Sequence, residues 1–437
     1  MARTLLRGGC VLTLASKSPN YTQADVLIEE DRIAEVGVGL RARDAEVVDA
    51  TDTIVMPGFV DAHRHVWESL FSGMGDPVAS GDQPSAASGY GPHHGADDIY
   101  ASTLLGLLRA VESGTTTVVD WFDGADEHTD AALQAHSDAG VRTVLVKGAS
   151  PWERARDQWG ARLRSIASAD RDHRLVTVAA GAPDPMADDL DTVAREWALA
   201  RELGLRIHTH VGRDPGDHGL IDALAISGLL ADDVTLVHCT HLGDADLDAI
   251  ASTGASVALT PSTDMAGGRG APPLQRLIDR KIRPGLGVDG ERITPGDMFA
   301  QMRAVISLQH ASYFDLKLAG KGGLPRLLTT REVIRWATVD GAGATGLGSV
   351  TGSLEPGREA DVVILRTDRP NIAPVNDPIG AVVWGMDTSN VDWVIVGGRP
   401  LMRHGVLEGD VDRARALAVA SRDRVAGAVL AGAGGGS

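Results

Sequence analysis

From about residue 54 to residue 290 the chain alternates short apolar runs with longer amphipathic stretches, and no other feature restricts its fold as strongly. The apolar runs are IVMPGFVDAH, TTTVVDWF, VRTVLVKG, LVTVAAGAP, LRIHTHV, VTLVHCTHL, ASVALTP and RPGLGVDG. They are short and nearly continuous in apolar residues, as strands buried on both faces are. Helical patterns separate most of them, among them DIYASTLLGLLRAVESG, HTDAALQAHSDAG and DDLDTVAREWALARELG. The last two end in Gly just past their periodic stretch, a normal helix stop, and GDADLDAIASTG shows the same start and stop. Eight such units predict a closed (β/α)8 barrel. A doubly wound open sheet is the competing topology, but no G-x-G-x-x-G follows the first strand.

Both ends of the chain read differently. TLLRGGCVLTLA, ADVLIEEDRIAEVGV and AEVVDATDTIVMPG lie before the barrel pattern, and ADVVILR, GAVVWGM and VDWVIVGGRPLMRHGVL after it. These runs predict a small β-sandwich from 1–55 and 355–410, flanking a barrel over 56–354. Residues 411–437 are expected to be a C-terminal helix and a flexible, low-complexity tail, AGAGGGS.

The composition excludes several classes of partner. A net charge of −18 with no Lys/Arg stripe argues against duplex nucleic acid or an anionic membrane. Two distant cysteines, Cys10 and Cys239, cannot form a disulfide framework, and a reducing cytoplasm is the expected location. The opening MARTLLRGGCVLTLA is too short and Gly-interrupted for a spanning helix and reads as a first strand.

Active sites of barrels lie at the C-terminal ends of the strands. His63 and His65 stand there on strand 1, one residue apart and so on one face. Alone, that pair reads as two half-exposed histidines. But His208 and His210 end strand 5, His238 and His241 lie at strand 6, and Asp289 ends strand 8. Six of fourteen histidines on three strand ends, with a lone aspartate on a fourth, point to a shared cation.

With these motifs the chain resembles the amidohydrolase superfamily, in particular its cytosine-deaminase-like and triazine-hydrolase-like branch. The resemblance runs through PGFVDAHRH, GTTTVVD, HTHV, VHCTHL, GLGVDG followed by PGDMFAQMR, and GSLEPGREADVVIL, nearly the whole length. It implies one divalent metal, zinc first and iron second, held by His63, His65, His210 and Asp289. It implies water activated at that ion, Asp289 acting as general base and then acid, and His238 stabilising the oxygen that gains charge. His208 then lies one layer deeper, and His241 faces substrate or braces the site. The implied activity is hydrolysis of a C–N bond in a small cyclic amide, amidine or heteroaryl amine. The alternative on this scaffold is a metal-dependent lyase, a dehydratase or decarboxylase; a non-enzymatic binding protein is disfavoured by the intact ligand set. A homodimer is the expected assembly.

One position departs from the branch. Its ring deaminases place a glutamate three residues after the strand 5 ligand, where this chain has Arg213. A guanidinium cannot shuttle protons near neutrality, but it can grip a carboxylate through two hydrogen bonds. The bland alternative is a solvated arginine paired with Asp214 or Asp217. Strand 4 ends AAGAPDP and offers no lysine for a bridged two-metal centre. Lys147 ends strand 3 instead, a candidate substrate contact. Trp67, Trp121 and Phe122 are candidate pocket walls. Segment 71–98, rich in Gly, Ser and Pro, is expected to be a mobile lid, with His93 and His94 as solvated loop residues.

Overall fold

A computed structural model describes residues 2–74, 89–150, 156–168, 174–182, 185 and 190–434. The N-terminal strands are β1 (Arg3–Val11), β2 (Thr22–Glu29), β3 (Arg32–Gly37), β4 (Glu46–Asp49) and β5 (Thr53–Pro57). The barrel follows with β6 (Phe59–Arg64), β7 (Thr115–Phe122), β8 (Arg142–Lys147), β9 (Val176–Gly181), β10 (Ile207–Val211), β11 (Val234–His238), β12 (Ser256–Leu259) and β13 (Gly285–Leu286). The C-terminal strands are β14 (Val362–Arg366), β15 (Val391–Val396), β16 (Arg399–Arg403) and β17 (Val406–Leu407).

The two ends of the chain build one connected sheet in the order β17-β16-β15-β14-β5-β1-β2-β3, with β4 beside β1. It closes on a core of its own, including Leu6, Val26, Ile28, Val362, Ile364, Trp393 and Ile395. β5 and β14 join the two ends, antiparallel with Val362 opposite Pro57. The run IVMPGFVDAH, expected as one barrel strand, is therefore two strands in two sheets. The change comes at Gly58, whose N–H donates to the Asp361 carbonyl at 3.0 Å. A Cβ there would stand 2.1 Å from the Thr116 side chain, so only glycine permits this approach.

β6 to β13 run parallel in sequence order, with helices between them. The barrel is shut by a parallel bridge between Arg64 and Asp289. Along this seam the Asp289 N–H donates to His63 O at 2.9 Å, the His65 N–H donates to Asp289 O at 3.0 Å, and the Val288 N–H donates to Asp61 Oδ1 at 3.1 Å. Gly287 makes the closure possible: a Cβ would stand 2.6 Å from the His63 carbonyl. Fully buried Val, Leu and Ile fill the space between strands and helices, as in Val118, Leu236, Val257 and Leu286.

The helix stops read from the sequence are where the chain turns. Helix Asp244–Thr253 starts where Asp246 accepts the Gly243 N–H at 2.9 Å and stops at Gly254 with φ +78°. Helix Thr129–Ala139 stops at Gly140 with φ +69°. The last helix, Val411–Gly434, runs into the stretch expected as a flexible tail, whose final three residues lie outside the described ones. It packs Ala418 and Val425 on Leu70 and Phe71, and Arg424 Nε donates to Asp98 Oδ1 at 3.1 Å. No helix among the described residues is long and apolar enough to cross a membrane. Half of the expected lid over 71–98, residues 75–88, lies outside the described residues.

Candidate metal centre

The seam that closes the barrel also carries the densest cluster of donor atoms. His63 is fully buried at the end of β6, and His65 follows it half-buried. His210 from β10 brings Nε2 to 3.2 Å from His63 Nε2. Asp289 Oδ1 lies 3.3 Å from His63 Nε2 and 3.4 Å from His65 Nε2. One donor atom from each of His63, His210 and His238 lies within 4.8 Å of the others, and so it is for His63, His65 and Asp289. Two of these residues sit in the left-handed region, His238 at φ +73° and Asp289 at φ +64°. Such a backbone costs on the order of 1–3 kcal/mol for a residue other than glycine and persists only when its surroundings impose it. At Asp289 the imposition is visible, since both its backbone N–H and C=O are bonded to β6.

The cluster suits a divalent cation on the chemistry of its donors. Burial lowers the His63 and His65 imidazoles below their ordinary range despite the pull of the nearby carboxylates, and lowers His210 well below it. Neutral imidazole is the form that binds metals. Burial alone would raise Asp289, but the hydrogen bond from His63 and the surrounding histidines hold it well below the usual carboxylate range. Two donor triads thus share His63, one of three imidazole nitrogens and one of two imidazoles with a carboxylate oxygen, and both ligand types suit zinc.

Around these donors lies a second layer. His238 Nδ1 is 2.8 Å from Thr260 Oγ1 and 3.0 Å from Asp264 Oδ1, which leaves Nε2 for the site. Thr260 Oγ1 donates to Asp264 Oδ2 at 2.9 Å. Arg269 Nη1 lies 3.2 Å from Asp289 Oδ2. The Trp121 ring packs 4.0 Å from that of His210, so this tryptophan is a wall of the site. Burial, then Asp123 and Asp289, push the Glu68 carboxyl up to about 8.

Other expected residues are placed elsewhere. Trp67 is 1% exposed, packs with Ile99, Phe122 and Leu145, and donates Nε1 to Asp123 Oδ1 at 3.0 Å. Its ring lies in that buried cluster, and its indole N–H reaches the Asp123 carboxylate, which stands 3.9 Å from His65 Nδ1. Lys147 is fully buried and is no open substrate contact: Nζ meets Asp126 Oδ1 at 2.8 Å and the Gly148 and Gly124 carbonyls at 2.7 and 3.1 Å. His208 is buried one layer beneath His210, and His241 donates Nε2 to the Arg269 carbonyl, bracing that loop. Arg213 is half-buried just beyond β10, close enough for its charge to act on His210. His94, expected in solvent, is buried edge-on to Trp67 at 5.5 Å, because the terminal helix and Phe71 cover it.

Asp123, Glu68, Asp264 and Arg269 are site residues that the sequence reading does not single out. Asp123 was findable as a charge directly past TTTVVDWF, and Glu68 as the carboxylate three residues after His65. Asp264 and Arg269 lie in the segment between β12 and β13, where no periodicity marks a side chain's direction.

The sequence pattern of the amidohydrolase family matches residues 54–401. The 5'-deoxyadenosine deaminase of Methanothermobacter thermautotrophicus is 31% identical over 408 residues, 88% of this chain and 91% of that one. The 5-methylthioadenosine/S-adenosylhomocysteine deaminase of Haloarcula marismortui is 31% identical over 93% of this chain and 94% of its own. In three dimensions the chain is similar to an adenosine deaminase from Xanthomonas campestris with bound zinc, at TM-score 0.82, 22% identity, and 97% and 98% coverage of the two chains. It is also similar to a mutant atrazine chlorohydrolase from Arthrobacter aurescens complexed with zinc and atraton, at TM-score 0.84, 23% identity, and 96% and 100% coverage.

Proposed function

This chain belongs to the amidohydrolase family and is an enzyme of small-molecule C–N bond hydrolysis, and from that premise we propose that it removes an amino group from a nitrogen heterocycle at a single zinc site. The observation that carries the reading is the meeting of two donor triads on His63 at the barrel seam, one with His65 and Asp289 and one with His210 and His238. When bound there, a divalent ion supplies an acidified water and an electrophile for the reacting carbon. His63, His65 and His210 in their neutral forms, together with Asp289, would hold it. Asp289, ionised at neutral pH, takes the proton of the attacking water and returns it to the leaving nitrogen. The ring of His238, fixed through Thr260 and Asp264, faces the oxygen that gains charge as the carbon becomes tetrahedral. Trp121 lines the wall beside His210 and keeps water from the flank of the site.

Arg213 stands where the deaminase branch has a proton-shuttling glutamate, and its role in this reading is to grip an anionic group of the substrate. The relatives' activity on adenine nucleosides favours hydrolysis over lyase chemistry. The test is ammonia release by zinc-loaded protein from 5'-deoxyadenosine, 5-methylthioadenosine, S-adenosylhomocysteine and carboxylated heteroaryl amines, with cyclic amides as comparison. Ammonia from at least one amine, abolished in Asp289→Ala, is the expected result. Ring opening of the amides without ammonia from any amine would overturn the deaminase reading.

A further inference from the structure

Arg269 lies in the loop between helices Pro261–Ala266 and Leu274–Asp279 and touches two acids at once. Its Nη1 is 3.2 Å from Asp289 Oδ2 and 3.6 Å from Asp264 Oδ1. The other oxygen of Asp289, Oδ1, is the one that faces His63 and His65. The carboxylate is thereby divided, one oxygen toward the imidazoles and one toward the guanidinium. Asp264 has its own division, with Oδ2 accepting from Thr260 and Oδ1 lying 3.0 Å from His238 Nδ1. The arginine is anchored in turn: its N–H donates to the Asp264 carbonyl at 2.9 Å, and its carbonyl accepts from His241.

We propose that Arg269 is a positioning residue for the hydrolysis, fixing Asp289 directly and His238 through Asp264. The inference rests on the ligand assignment given above. Its physical basis is the softness of the carboxylate torsion: the terminal rotation of an aspartate is broad and roughly two-fold, so something must choose which oxygen faces the donors. A guanidinium nitrogen, Nη1, held 3.2 Å from Oδ2 makes that choice, and its positive charge also separates two buried carboxylates that would otherwise repel each other. Remove the cation, and Asp289 can rotate while Asp264 swings from His238. An ammonium keeps the charge but not the rigid, planar head that fixes where the donor stands.

The test uses the full chain loaded with Co2+, whose visible absorption reports the arrangement of its ligands without any substrate. Wild type, Arg269→Lys and Arg269→Met are compared for cobalt per chain, absorption band, and turnover on whichever amine releases ammonia. The methionine variant is expected to bind cobalt with a shifted band and to lose about 10- to 100-fold in turnover, as outer-layer partners of metal ligands commonly do. KM should move far less than kcat, because the defect is in aiming and not in binding. The lysine variant should recover part of both the band and the turnover. Where the methionine variant unfolds, Arg269→Gln takes its place, planar and uncharged. A cobalt-loaded methionine or glutamine variant with the wild-type band and turnover would overturn this inference alone. Folded wild-type protein that takes up no cobalt would overturn the ligand assignment, and this inference with it.

Discussion

Two clusters of buried polar groups stand at opposite ends of the barrel strands, and they are built on opposite rules. At the N-terminal end of β8, Arg142 Nε lies 2.6 Å from Asp361 Oδ2, and Nη2 lies 3.0 Å from Asp361 Oδ1 and 2.7 Å from Glu359 Oε2. Arg174 adds a second cation on Glu359 at 2.6 Å, and the Gly397 N–H donates to Asp361 at 2.8 Å. The carboxylates there are met by donors, and the cluster ties the barrel to the terminal sheet. At the other end, among the described residues, His63 Nδ1 and His65 Nδ1 have no hydrogen-bond partner while their Nε2 atoms crowd Asp289 Oδ1, and His238 and Asp289 hold left-handed backbones. A saturated cluster holds the fold; an unsaturated, strained one is kept for something that binds there.

The difference can be broken at either end. His63→Ala should have the largest effect, abolishing turnover together with metal uptake, while the unfolding midpoint of the metal-free protein changes little. Asp289→Asn should keep part of the metal, since an amide oxygen still ligates, yet lower kcat by about three orders of magnitude or more. A metal-loaded asparagine variant with near-normal kcat removes Asp289 from proton transfer. At the saturated end, Arg142→Met leaves Asp361 and Glu359 buried without their main cation. Breaking a buried pair from one side costs about 3–5 kcal/mol, to be read by urea unfolding, while metal per folded chain stays as in wild type. An Arg142→Met protein of unchanged stability would erase the contrast.

How much of this was legible beforehand follows the same division. Strand ends carrying HxH, HxxH and a lone Asp could be read because period-two geometry says which side chains share a face. The helix stops could be read because Gly in the left-handed region leaves a mark, as at Gly140 and Gly254. The sheet change at Gly58 could not, because Ile54–Met56 before it and Phe59–Val60 after it are equally apolar and equally buried. Hydrophobicity reports burial but not which sheet does the burying. Trp67 misled for a related reason: its position beside His65 was visible, but its direction into Ile99 and Leu145 was not. Asp264 acts from the six-residue helix Pro261–Ala266, too short to show a periodicity, and Arg269 from the loop after it, where sequence spacing carries no direction at all.

Two smaller effects sharpen the picture. Arg213→Ala should raise KM without changing metal content, by about 30-fold or more if a buried charge-assisted contact to the substrate is lost. Arg213→Lys should recover only part of it. An unchanged KM would make Arg213 a bystander. His94, lowered to about 4 mainly by burial, should give a modest pH dependence of stability. The unfolded chain takes up a proton near pH 6.5, whereas the folded chain resists it down to about 4. This contribution is therefore complete above pH 6.5 and is lost as pH falls toward 4. His94→Phe should flatten the unfolding midpoint against pH across that window; an unaltered slope would assign the acid sensitivity to other groups.

The most direct test of the open cluster is metal stoichiometry. Chelator-treated protein titrated with zinc, then dialysed and analysed for metal, should hold about one ion per chain, as donor triads that share His63 and a strand 4 without lysine predict. His63→Ala, His210→Ala and Asp289→Ala should each fall far below that. Two tightly held ions per chain, or one ion that survives all three substitutions, would contradict a single site at the barrel seam.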